Sequence, residues 1–167
     1  SEYNLQMKGY AHALRVNLSE NPSSILVDQN SKLHLSQATK GASAIVLGNG
    51  ATLTMDNGTL ITEGNFLKGI YSLGSNSTTT IRNGSHVDVN SIVGTKSDKG
   101  QKLIVTGGTL TYDYKADNTL WPVNEQGDKL TNFLLTKDDA HANFDALSYK
   151  GQTYTYLSDL NKETGKQ

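Results

Sequence analysis

One feature limits the fold of this chain more than any other: a repeat of roughly two dozen residues between Ile25 and Tyr112. Four segments align, starting at Ile25, Leu53, Thr79 and Leu103 and ending at Leu35, Glu63, Val89 and Tyr112. Each reads as a short alternating strand, a polar corner, and a second short strand. The corners begin at Asp28, Asp56, Arg82 and Thr106, so the spacings are 28, 26 and 24. A third strand recurs between corners. Ala44-Ile-Val-Leu-Gly48 matches Ile70-Tyr-Ser-Leu-Gly74, which aligns Leu47 with Leu73 and Gly48 with Gly74. Three short strands per turn of this length are the signature of a β-solenoid.

The period carries a physical logic. Side chains alternate in and out along a strand, so Leu53 and Met55 share one face, as do Val87 and Val89. One strand cannot bury that face alone. Three strands wound into a coil close around a narrow apolar interior, and the next coil stacks at about 4.8 Å. Ile25, Leu53, Thr79 and Leu103 then form one inward column. Val27, Met55, Ile81 and Val105 form the next. Thr79 is the one polar member.

The corners agree. Asn57-Gly58, Asn83-Gly84 and Gly107-Gly108 occupy the same place in three coils, and Asn and Gly accept the positive backbone angles of a sharp corner. Asn-Gly between alternating runs also signals an antiparallel hairpin. Three copies in phase favour the solenoid.

Outside the repeat the pattern weakens. Leu14, Val16 and Leu18 alternate, and Val16-Asn-Leu18 pairs in pattern with Ile45-Val-Leu47 as a partial first coil. Ser36 to Ser43, Glu63 to Lys68, and Asn90 to Gln101 read as loops. Ser75 to Thr80 has no apolar residue and reads as a solvent-facing strand or loop. After Tyr112 the repeat stops. Lys150-Gly151-Gln152 between alternating Tyr residues predicts a hairpin. The expected organisation is therefore solenoid coils over 1–112 and a C-terminal β cap with the start of a linker over 113–167. The fold expected is all-β: a right-handed parallel β-solenoid of about four to five coils.

Composition narrows the partners. Charged residues are 19% and the net charge is −1, so no bulk field attracts nucleic acid or an anionic membrane. Cys is absent, which excludes disulfides and thiolate metal sites. No stretch reads as a membrane span. The start at Ser1 without Met suggests an excised fragment or a mature form.

A β-solenoid raises the question of polysaccharide lyases and hydrolases. A lyase needs several carboxylates around a cation and a Lys or Arg base. The corner column here reads Asp28, Asp56, Arg82, Thr106, which predicts an Asp56–Arg82 ion pair between coils instead. A glycosidase needs two carboxylates facing one another at about 5 to 9.5 Å. Glu63 and Asp88 fall in successive coils, but Glu63 aligns with the apolar positions Leu35 and Val89. His12, His34, His86 and His141 share no metal-like spacing, and no nucleophile elbow or phosphate loop occurs. No catalytic residue, metal site or cofactor is assigned. A carbohydrate-active enzyme fragment is the alternative, and a stalk segment of a larger adhesin a third reading.

Binding is what the sides of the solenoid offer. Tyr71, Arg82, Tyr112, Tyr114 and Trp121 are the candidate ligand contacts, because aromatic faces stack on sugars and Arg grips carboxylates in two places. For Tyr112 and Trp121 the competing role is packing between the last coil and the cap.

The run from Asn49 to Leu60, together with Asn83-Gly-Ser-His-Val-Asp-Val89, resembles the pectate-lyase-like adhesive domains of Gram-positive, Lactobacillus-type cell-wall-anchored surface proteins. The resemblance covers about residues 14 to 112. It implies a parallel β-helix without lyase activity on an extracellular bacterial surface. It also implies attachment to host epithelium, mucus or glycans; the partner expected is a host-cell surface glycan or matrix protein, with no nucleic acid and no membrane insertion. The chain would be a monomeric fragment of a larger adhesin. No binding residue transfers with it.

Overall fold

The computed structural model describes residues 1–7, 14–16, 23–94, 98–112, 119–130, 141–143, 146–149 and 152–154. These form an all-β solenoid of about four turns, with no helix among the described residues. A partial coil holds β1 (Glu2–Met7) and β2 (Leu14–Val16). The first full coil is β3 (Ser24–Asp28), β4 (Lys32–Gly41) and β5 (Ile45–Leu47). The second is β6 (Thr52–Asp56), β7 (Thr59–Phe66) and β8 (Ile70–Ser72). The third is β9 (Thr78–Arg82), β10 (His86–Asp88) and β11 (Ile92–Val93). A last coil has β12 (Lys102–Val105) and β13 (Thr109–Thr111), followed by β14 (Pro122–Val123).

Three sheets run along the solenoid. The first holds β3, β6, β9, β12 and β14 in stacking order, the second β1, β4, β7, β10 and β13, and the third β2, β5, β8 and β11. Every pairing among these strands is parallel. The second sheet then changes character. β15 (His141–Asn143), β16 (Ala146–Tyr149) and β17 (Gln152–Tyr154) join β13 as an antiparallel extension. Tyr149 pairs with Gln152 in an antiparallel register, as the expected hairpin requires.

Register in the first sheet follows the sequence repeat. Ile25, Leu53, Thr79 and Leu103 stack in one column, and Val27, Met55, Ile81 and Val105 in the next. All are buried except Ile25, which is half-buried at the N-terminal end. The second sheet adds Leu33, Leu60, Val87 and Leu110, and the third adds Ile45, Ile70 and Ile92. These columns form one continuous core. Full burial of each aliphatic side chain stabilises by about 1.5–3 kcal/mol, so the repeated columns supply most of the drive for coiling.

Elsewhere the pattern reading needs correction. In the second sheet Leu35 faces Thr62, and Glu63 faces Ser36. The cause lies in the corners. Four residue steps lead from Asp28 to Lys32 and from Arg82 to His86, but three from Asp56 to Thr59. A constant repeat length therefore slips by one after the corner. In the third sheet Leu47 faces Ser72, not Leu73, and β2 enters register at Leu14 opposite Ile45, two residues before the expected position. Leu73 is exposed.

Two segments read as loops are largely strand, and a third, Asn90 to Gln101, contains a short one. β4 and β7 continue to Gly41 and Phe66, and β11 buries Ile92 and Val93. Ser77 and Thr79 lie inside at 0% exposure, although their neighbourhood has no apolar residue. Ser77 is accommodated because its hydroxyl donates to the Gly74 carbonyl at 2.9 Å.

Candidate functional site

The outer face of the first sheet is the counterpart of its core columns. With Leu53 and Met55 inward, Thr52, Thr54 and Asp56 must point outward. Parallel register stacks Ser24, Thr52, Thr78 and Lys102 in one outward column. Leu26, Thr54, Thr80 and Ile104 form a second, and Asp28, Asp56 and Arg82 a third. The centre of the face is thus a two-by-two array of threonines, with the charged column along one side. Thr78 Oγ1 donates to the Asn76 carbonyl at 3.4 Å. At one end Leu26 is 58% exposed.

The charged column opens onto the corner. Asp56 holds it together. Arg82 Nη2 donates to Asp56 Oδ2 at 3.1 Å, and Asn83 Nδ2 donates to Asp56 Oδ1. The ion pair expected from the sequence is therefore present. The Asn83 hydrogen bond, and after it the Arg82 hydrogen bond and charge, hold the Asp56 carboxyl below the usual carboxylate range against an opposing effect of desolvation. Asp28, one coil earlier, stacks against Asp56 by register. A shallow depression of about 400 Å³ is lined by Asp28, Gln29, Asp56, Asn57, Asn83 and Gly84.

Backbone angles explain the choice of residues. Asn30, Asn57 and Asn83 have φ of 65°, 59° and 57°, the left-handed region that short polar side chains accept best after glycine. Gln29 joins Asn30 there at φ 48°, which gives the first corner its extra residue. The next position must be small. A Cβ on Gly58 would lie 2.6 Å from the Val27 carbonyl oxygen. The Gly58 amide donates to Ser85 Oγ at 3.3 Å, and the Ser85 hydroxyl donates to the Arg82 carbonyl at 2.8 Å. This cross-coil use of Ser85 escapes sequence reading, since a serine after Asn-Gly looks like any other corner residue.

The sequence-derived contacts are scattered. Arg82 lies in the charged column with its side chain 47% exposed and engaged by Asp56. Tyr71 is on the third sheet, a different side of the coil, with Lys68 Nζ 4.1 Å from its ring centroid. Tyr112 is 2% exposed within the core, and its hydroxyl donates to the Leu120 carbonyl at 3.3 Å. Trp121 is half-buried against the core and donates from Nε1 to the Leu130 carbonyl at 3.0 Å. These two aromatics pack the 120–130 segment onto the last coil. Tyr114 lies outside the described residues.

The two carboxylates of the hydrolase alternative are exposed on neighbouring strands of the second sheet, β7 and β10. Glu63 points outward, and its Oε1 accepts from His34 Nε2, one coil earlier, at 2.6 Å. Asp88 lies one coil later, opposite Ile61. His86 Nδ1 meets Thr109 Oγ1 at 2.6 Å. No group of three or more His, Cys, Asp or Glu that could hold a metal ion occurs among the described residues. Among the described residues no helix is long and apolar enough to cross a membrane. Comparison with protein-family models, with curated proteins and with solved structures returned no match.

Proposed function

We propose that this chain is a non-enzymatic adhesive domain of an extracellular bacterial surface protein, of the pectate-lyase-like kind, binding a host-cell glycan or matrix protein. One observation carries the reading. The outer face of the first sheet sets threonine hydroxyls and methyls in register across coils, bordered by the Asp28, Asp56 and Arg82 column. Hydroxyls donate and accept, methyls lie against sugar rings, and a partly exposed guanidinium binds carboxylates or carbonyls. Each contact is weak, and repetition along the axis sums them. Arg82 is kept from the sequence-derived set. Tyr112 leaves it because its ring is buried.

The test is a glycan and matrix-protein array probed with the isolated domain, its Arg82→Ala form and its Thr54→Lys form. Retained binding by the parent and loss in both variants supports the assignment. Binding that both variants keep moves the site to another face. Silence of the parent toward every ligand overturns adhesion by this domain, and cleavage of array glycans replaces it with the enzyme reading.

A further inference from the structure

Asn-Gly pairs share a chemical weakness. The backbone nitrogen after the asparagine attacks the side-chain amide carbon, and glycine offers no Cβ to obstruct it. That nitrogen must be free of other bonds to react. The described residues contain three Asn-Gly pairs, and their glycine amides differ. The Gly50 amide donates to the Ser75 carbonyl at 2.8 Å. The Gly58 amide donates to Ser85 Oγ, and Gly58 is buried. The Gly84 amide has no acceptor among the described residues, and both Asn83 and Gly84 are exposed. Of the three Asn-Ser pairs among the described residues, those at Asn30 and Asn76 are guarded in the same way, since Ser31 donates to Asp28 and Ser77 to Gly74, while at Asn90 the following Ser91 is buried and the Asn90 side chain is held by Thr62 and the Phe66 carbonyl.

The sequence supplies the reason for the difference. Ser85 protects Gly58 from one coil later. In the coil after Gly84 the matching position is Gly108, which packs on the Ser85 backbone and has no hydroxyl to offer. The corner ladder lacks its cross-coil acceptor at this step, and a backbone N–H is left to solvent.

We propose that Asn83–Gly84 is a self-modifying site, at which the corner asparagine converts spontaneously to aspartate or isoaspartate while Asn49 and Asn57 are protected by the fold. The Gly84 nitrogen forms a bond to Asn83 Cγ, the Cγ–Nδ2 bond breaks, and ammonia leaves. Water then adds across one of the two imide C–N bonds, with hydroxyl going to carbon and the proton to nitrogen. Only water is consumed. The product replaces a donor to Asp56 with a carboxylate, beside Asp56 and one coil from Asp28. Isoaspartate also adds a methylene to the main chain at a left-handed position. The modified corner loses its Asn83–Asp56 bond and gains like charge, which loosens the Arg82 side chain that Asp56 now holds.

The experiment incubates the folded protein at mildly alkaline pH and follows the NH2-to-OH mass exchange at each asparagine. Digestion uses acidic conditions and a protease that leaves Arg82–Asn83 intact. Conversion at Asn83 several-fold faster than at Asn57 and Asn49 is expected, with the three rates converging in the urea-unfolded chain. Equal rates in the folded protein, or Asn57 first, overturn the proposal. Two variants test the cause. Gly84→Ala slows Asn83, and its new Cβ meets only the movable end of Asn57 at 2.8 Å. Ser85→Ala releases the Gly58 amide and raises the rate at Asn57. An unchanged Asn57 rate in Ser85→Ala refutes amide engagement as the control.

Discussion

Thr79 stacks on Leu53 in an inward column of the first sheet, at 0% exposure, and its hydroxyl has no hydrogen-bond partner. Leu103 closes the column on the other side. A buried hydroxyl without a partner keeps the full cost of its lost hydration. Thr79→Val preserves the branched shape and removes that cost. We expect a gain of about 1 kcal/mol, read as a higher urea midpoint at unchanged slope. A lower midpoint would show that the hydroxyl is satisfied, for instance by an internal water.

Gly74 closes the third strand against the preceding coil. A Cβ there would lie 2.0 Å from the Asn49 nitrogen and 2.1 Å from the Gly48 carbonyl carbon, both backbone atoms. Neither can rotate away, so the coils must part. Gly74→Ala is expected to destabilise by about 1–3 kcal/mol, as overpacking does in a closed core. Thermal unfolding measures it, and an unchanged midpoint would mean that the coils separate freely at this level.

Asp56 gives the acid side of the stability profile a defined contributor. Its folded-state pKa is lowered, by Asn83 first and then by Arg82. Such a carboxylate stabilises the fold at pH above its unfolded value, and the contribution is lost as pH falls through the lower folded value. Asp56→Asn should therefore be the less stable form at neutral pH and should converge with the parent in acid. The gap should shrink in high salt, because the Arg82 partner is exposed. A gap that persists in strong acid would assign the effect to packing.

The His34–Glu63 contact makes the opposite prediction. The Glu63 side chain is exposed at 58% and that of His34 half-buried at 29%. Exposed pairs contribute little, so Glu63→Gln is expected to change stability by less than about 1 kcal/mol. A larger loss in a denaturation curve would show that the pair locks β4 to β7.

The first sheet was the most legible part of the chain, and the reason is physical. Leu53, Met55, Ile81, Leu103 and Val105 keep strict alternation, and each strand is read against its neighbour without crossing a corner. Across a corner that logic fails. A left-handed residue such as Gln29 is absorbed at the bend without disturbing the strands on either side, so counting alone placed Glu63 and Leu73 one residue out of register. Inward Ser77 and Thr79 were hard to read because burial here is imposed by position in the coil, not by hydropathy. Of the candidate contacts, the Arg82–Asp56 pair was legible because both ends lie on the first sheet. The aromatics were not, since composition says that a ring is present and not which side of the coil it occupies.

The two ends of this solenoid are unlike, and that has a bearing on self-assembly. At the C-terminal end β15 occupies the edge of β13, β14 covers β12, and Thr119 bridges Val93. At the other end β1 is the outermost strand of its sheet, with Tyr3 60% and Leu5 43% exposed. Parallel stacking of one molecule on the next, the route by which open coils grow into fibres, would need a free edge at both poles. In the second sheet that edge is occupied by an antiparallel strand of the same chain, so parallel stacking on β13 must first strip β15 away.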